Sequence, residues 1–227
     1  MILGSDGLKN ILLNVYEFHE PWAKNTLKKV LKKGMKVAVL TMSHGEDIPD
    51  GDAWMKLYGE GCPVYEILKK AFGSYGITEL TYVSWYHDNA NSALEKVNSA
   101  DILFMTGGLP HLLYDRMLKW KLVDKIKKFP GIVMGASAGA MVQMKEYHVT
   151  PDEDYPRYCY YKGLGLLDGF EPEVHFAATE VQMKSIARYQ KERNKLVFAM
   201  ANDGGLLIDG SQVSVFGNVD IFPEDEE

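Results

Sequence analysis

Apolar positions in this chain of 227 residues fall into two kinds of run that alternate. One kind is short, continuous and rich in β-branched residues: Lys36–Thr41, Asp101–Thr106, Ile132–Met134 and Leu196–Met200. Such runs suit parallel strands covered on both faces, where no polar side is needed. The other kind sets apolar residues on one side of a helix: Trp22–Lys33, Val64–Phe72, Ala90–Asn98, His111–Phe129 and the more polar Thr179–Arg193. Gly34 and Gly73 stop the first two. Thr78–Trp85 alternates enough for a further strand, Met1–Leu3 reads as a short first strand, and Leu8–Phe18 is apolar without declaring a type. Leu206–Ile208 and Val213–Phe216 flank Asp209-Gly210, a hairpin signal. Ser43–Gly51 has the turn chemistry of a loop, Tyr147–Tyr161 reads as aromatic, acidic and irregular, and Pro223–Glu227 as a frayed acidic tail.

Strands alternating with helices predict one α/β domain over residues 1–227, with a mainly parallel central sheet and a C-terminal β-hairpin. In such sheets ligands gather beyond the carboxyl ends of the strands. Gly107-Gly108, Ser137, His175 and Asn202-Asp203 follow predicted strands or lie in segments that reach that rim.

Composition narrows the picture. A 46% hydrophobic content supports a substantial core, and a net charge of −6 with no basic patch argues against a nucleic-acid partner. The lysine runs at 28–33 and 125–128 are solvated helix faces. No apolar run is long enough for a bilayer, and the start lacks a signal-peptide pattern, so a cytoplasmic location is expected. Cys62 and Cys159 lie far apart and without metal-ligand spacing, which disfavours a disulfide framework or a zinc site. No Walker loop, G-x-G-x-x-G after a strand or H-E-x-x-H is present, so no metal or organic cofactor is implied. The expected partner is a small substrate, bound by a monomer or homodimer.

The candidate chemistry centres on Gly135-Ala-Ser-Ala-Gly139. An apolar strand, then only small residues around one hydroxyl, then a helix start is the layout of a nucleophile elbow. The N–H of Ala138 is placed to stabilise an oxyanion, and a backbone N–H of Gly107 or Gly108 is its expected partner. A serine needs a base. Of six histidines, His175 is preferred: it ends an extended run after a glycine-rich approach and precedes a polar helix. His148 is nearer along the chain, but triads assemble in space. The carboxylate to orient the imidazole is either Asp203, after a buried strand, or Asp152 or Asp154 in the irregular segment.

These residues resemble peptidase family S51, the serine peptidases that include dipeptidase E and the cyanophycinases. Gly135-Ala-Ser-Ala-Gly-Ala140 is similar to the family's G-x-S-A-G-A elbow, Thr106-Gly107-Gly108 to its earlier glycine pair, and His175-Phe176 to its catalytic His-Phe. The resemblance implies a class I glutamine amidotransferase-like, flavodoxin-like three-layer sandwich. It implies Ser137 as nucleophile, His175 as base, Gly108 and Ala138 as oxyanion hole, and Asp203 as the favoured acid. It also implies serine-type hydrolysis of short peptides, Asp-X dipeptides among them. Gly107 and Leu109 would face the substrate, and Arg188 falls where dipeptidase E has an arginine implicated in gripping the substrate aspartate. Two features depart from the family: Leu109-Pro110-His111 after the glycine pair, and the tyrosine-rich segment 151–161. A member that keeps the fold as a binding protein, or a related cyanophycinase-like or esterase activity, is the alternative.

Overall fold

Strand residues buried on both sides of one sheet set the architecture. The computed structural model describes residues 3–4 and 7–224. In chain order the elements are β1 (Leu3–Gly4), β2 (Lys9–Leu13), α1 (Pro21–Leu27), β3 (Lys36–Thr41), α2 (Gly51–Tyr58), α3 (Pro63–Gly73), β4 (Glu79–Ser84), α4 (Ala90–Asn98), β5 (Ile102–Met105) and α5 (Pro110–Lys119). Then come α6 (Val123–Lys127), β6 (Ile132–Ala136), α7 (Ala138–Met141), β7 (Glu146–Val149), β8 (Cys159–Lys162), β9 (Leu167–Asp168), β10 (Phe170–Glu173), α8 (Glu180–Arg193), β11 (Leu196–Asp209) and β12 (Gln212–Phe222).

The central sheet runs β10-β11-β2-β6-β5-β3-β4, with β12 also paired to β11. The five strands β2, β6, β5, β3 and β4 are parallel, so their carboxyl ends share one rim. Alternate residues of β5 divide the core: Leu103 and Met105 face one apolar layer, Ile102 and Phe104 the other. Helices α1, α2 and α3 cover the Phe104 side through Leu27, Trp54 and Phe72. Helices α4, α5 and α6 cover the opposite side through Val97, Met117 and Ile126. The result is the expected three-layer α/β sandwich, and its C-terminal hairpin is the antiparallel pair β11–β12.

Several local expectations change. The uncommitted stretch Leu8–Phe18 contains β2, at the centre of the sheet. The loop expected at Ser43–Gly51 is present up to Asp50, and the addition is helix α2 directly after it, capped by Asp50, whose side chain accepts from the Ala53 N–H. The single helix expected over His111–Phe129 is two, parted where Lys121 adopts φ 58°. The segment Tyr147–Tyr161 is not irregular throughout, since β7 and β8 pair antiparallel within and around it. Of the first strand, Leu3–Gly4 is described, while Met1 and Ile2 lie outside the described residues, as do residues 225–227 of the tail. No helix among the described residues is long and apolar enough to cross a membrane.

Candidate active site

The turn from β6 into α7 holds Ser137 at φ 52°, ψ −111°, a conformation that side chains rarely adopt. Neighbouring backbone leaves no room for larger residues. A Cβ on Gly135 would stand 2.1 Å from the carbonyl oxygen of Gly139, and one on Gly139 2.1 Å from that of Met105. The Ser137 N–H donates to the Leu13 carbonyl at 2.8 Å, and its carbonyl accepts from the N–H groups of Ala140 and Met141. The half-buried side chain faces a cavity of about 310 Å3 at the sheet's rim. Because α7 spans only four residues, a macrodipole adds little here, and any oxyanion stabilisation falls to individual N–H groups.

His175 lies two residues beyond β10, itself left-handed at φ 51°. Its turn is pinned from both sides. Phe176 N–H donates to the Met200 carbonyl at 2.8 Å, and Gln182 Nε2 donates to the His175 carbonyl at 3.0 Å. Gln182 also accepts from the Ala177 N–H and closes a capping box with Thr179 at the start of α8. His175 Nε2 stands 2.9 Å from Ser137 Oγ, the contact expected of a base and its nucleophile. Nδ1 stands 2.7 Å from Asn202 Oδ1.

The group behind the imidazole is therefore Asn202, and the expectation of Asp203 is corrected. Strand β11 changes register between Met200 and Gly204, where Asn14 Nδ2 donates to the carbonyls of Met200 and Ala201 at 2.5 and 2.7 Å. A bulge of this kind re-aims side chains. It turns Asn202 to the histidine, while Asp203 accepts instead from Asn218 Nδ2 at 2.5 Å. The alternative acids do not reach Nδ1 either. Asp152 and Asp154 are exposed at the cavity's edge, where Asp152 Oδ1 accepts from the N–H groups of Asp154 and Tyr155 and shapes the loop.

Gly107 and Gly108 lie beside the serine, as a Cβ on Gly107 would be 3.5 Å from that of Ser137. The Gly107 N–H is engaged by the Tyr16 hydroxyl at 3.0 Å. Gly108 takes φ 128°, and a Cβ there would meet the Ser43 carbonyl oxygen at 2.6 Å. Ser43 clamps this turn. Its Oγ donates to the Gly107 carbonyl at 2.5 Å, and its carbonyl accepts from the Leu109 N–H at 2.6 Å. In the sequence Ser43 carries no signal beyond that of a loop residue. Leu109 borders a second cavity beyond Gly108 rather than the one that holds Ser137. In the departure Leu109-Pro110-His111, Pro110 lines the Ser137 cavity, and His111 Nδ1 pairs with Tyr155 Oη at 2.5 Å and stacks on Tyr161. The two departures from the family pattern are thus joined to each other.

Arg188 is corrected as a substrate contact. It is exposed, pairs with Glu192 at 2.7 Å, and lays its guanidinium 4.2 Å over Tyr158, outside the Ser137 cavity. The first turn of α8, with Val181 and Gln182, is what lines that cavity.

Sequence reasoning missed the cavity's floor. His148 on β7 is 1% exposed and sits between two glutamates of β10, with Nδ1 2.9 Å from Glu171 and Nε2 2.8 Å from Glu173. Glu171 also accepts from the His148 N–H, and Thr150 Oγ1 donates to Glu173. Burial opposes a charged imidazole, but the two carboxylates outweigh it and push the His148 pKa up to about 9. Burial raises the Glu171 carboxyl, an effect partly offset by His148. The alternation Glu171-Pro-Glu173 on one strand face was the only available sequence signal. Among the described residues, no three His, Cys, Asp or Glu side chains converge as metal ligands.

A family model described as Peptidase family S51 matches residues 59–216, well over half of the chain. Two solved structures share the fold. One is a provisionally assigned peptidase E protein from Listeria monocytogenes EGD-e, 18% identical, with TM-score 0.68 over 92% of this chain and 98% of that one. The other is a peptidase from an acI-B1 Actinobacterium, 15% identical, with TM-score 0.65 over 99% of this chain and 96% of that one. No curated protein matches the chain.

Proposed function

The chain belongs to peptidase family S51, and from that membership we propose that it is a serine-type peptidase cleaving short peptides through an acyl-enzyme on Ser137. The observation that carries the reading is the line Ser137 Oγ, His175 and Asn202 Oδ1, with contacts of 2.9 and 2.7 Å. With Asn202 Oδ1 accepting from Nδ1–H, the lone pair on Nε2 faces the serine hydroxyl. His175 then removes the proton as Oγ attacks the scissile carbonyl, and returns it to the departing amine. Water activated by the same imidazole releases the acyl group. The N–H groups of Gly108 and Ala138 receive the oxyanion in this scheme, since that of Gly107 is already held by Tyr16. The elbow's strain supports the role, because such backbone persists where surroundings enforce it.

Asn202 sets the tautomer, yet it lacks the charge that steadies an imidazolium, so turnover slower than that of a carboxylate triad is expected. The same asparagine, with Leu109-Pro110-His111, favours the second reading of a fold retained for binding. A fluorophosphonate probe separates the two. Covalent labelling of Ser137, with dipeptide turnover lost in Ser137→Ala, supports the peptidase. A folded protein whose serine ignores the probe supports the binding protein. The Asp-X specificity implied by resemblance has no lysine or arginine to support it among the described residues of the cavity beside Ser137, and the one imidazolium there, His148, is already held by Glu171 and Glu173.

A further inference from the structure

The cleft around Ser137 carries a net negative charge. The cavity that holds Ser137 is lined by Asp152, Asp154 and Glu173. A second cavity of about 670 Å3 lies beyond Gly108 and is lined by Glu46, Asp47 and, again, Asp154. Gly108 and Asp154 border both, so a peptide laid across the serine passes from one to the other.

Among the described residues, no lysine or arginine lines either cavity. The basic groups nearby are engaged elsewhere. Arg116 donates to the carbonyls of Met42 and His44 and packs over Trp85. Lys184 pairs with Glu180, and Arg188 with Glu192. On the floor, the His148 imidazolium is shared between Glu171 and Glu173, so two carboxylates and one cation leave a negative remainder. Glu173 is 4% exposed and held by Thr150 and His148, so its carboxylate is fixed in place before any ligand arrives.

We infer that this cleft selects peptides that present an organic cation, a protonated amine or guanidinium, beside the scissile bond, and disfavours acidic ones. The inference rests on the serine-peptidase reading above. The cation is either a free α-amine or a lysine or arginine side chain, since the chemistry of recognition is the same. A carboxylate about 4 Å from a ligand charge changes affinity roughly fivefold even at the dielectric of water, and the cleft offers several.

The test is protection of Ser137 from an uncharged fluorophosphonate by amino-acid amides. Lysinamide and N-acetyl-lysinamide probe the side-chain cation, leucinamide against N-acetyl-leucinamide probes the α-amine, and N-acetyl-aspartamide probes the anion. At least one cationic amide is expected to protect at concentrations tenfold or more below N-acetyl-aspartamide. The advantage should shrink several-fold in Asp152→Asn/Asp154→Asn, where an asparagine at 152 retains the acceptor that shapes the loop. Equal or better protection by the anion, or an undiminished cation advantage in the double variant, overturns the inference and leaves the peptidase reading standing. A folded parent that never labels removes that reading itself, and this inference falls with it.

Discussion

Replacing Asn202 by aspartate tests how His175 is activated. The substitution keeps an oxygen acceptor at the position that now lies 2.7 Å from Nδ1 and adds a full negative charge. At the dielectric of water, opposite unit charges at that distance attract by about 1.5 kcal/mol, and by more as water is excluded. His175 and Asn202 are both exposed, so the lower figure applies. Spent on the imidazolium of the transition state, about 1.5 kcal/mol is roughly a tenfold gain in kcat/KM. The gain is far below the ~10⁴-fold known for a triad aspartate exchanged for an amide, because the tautomer is already set by Asn202. Asn202→Ala, which removes the acceptor, should lower kcat/KM by about 10-fold or more. The assay is kcat/KM for one cleaved dipeptide from about pH 5 to 9, with labelling rates beside it. If both variants fold and stay within twofold of the parent, the idea that Asn202 orients the base is wrong.

Three further outcomes follow from the same geometry. His148→Ala leaves Glu171 and Glu173 buried without their cation and should cost about 3–5 kcal/mol in urea unfolding; a loss under 1 kcal/mol would show that the cluster is not charged. In the parent, His148 is raised from 6.5 to about 9, so its stabilising contribution is complete below about pH 6.5 and fades as pH rises through about 9. The melting temperature should fall across that window, and a flat profile contradicts the assignment. Gly108→Ala combines φ 128° with a Cβ 2.6 Å from the Ser43 oxygen, so catalysis should drop by about 10²-fold with a stability loss of about 1–3 kcal/mol; unchanged turnover would exclude this backbone from the oxyanion hole.

The elbow was legible because its requirement is written in missing side chains: Gly135 and Gly139 each press against a carbonyl oxygen, and nothing larger fits. His175 was legible by its place after an extended run and before a polar helix. Asn202 was not. Which of two adjacent residues faces the histidine depends on the bulge in β11, and that bulge is held by Asn14, 186 positions away from Met200. The β7–β8 pair was hidden for another reason: Tyr147, His148 and Val149 are all buried, so the strand shows no alternation of polar and apolar residues. Helix α2 did carry a signal, Trp54 and Tyr58 four apart, but the turn residues before it concealed the start. The break between α5 and α6 falls at Lys121, with neither glycine nor proline to announce it.

The acyl-transfer account is tested most directly by mapping the adduct of a fluorophosphonate in the parent and in His175→Ala. The account predicts one adduct, on Ser137, forming about 10²-fold or more slowly once the imidazole is gone. Equal labelling rates in the two proteins, or an adduct on another residue, would contradict it.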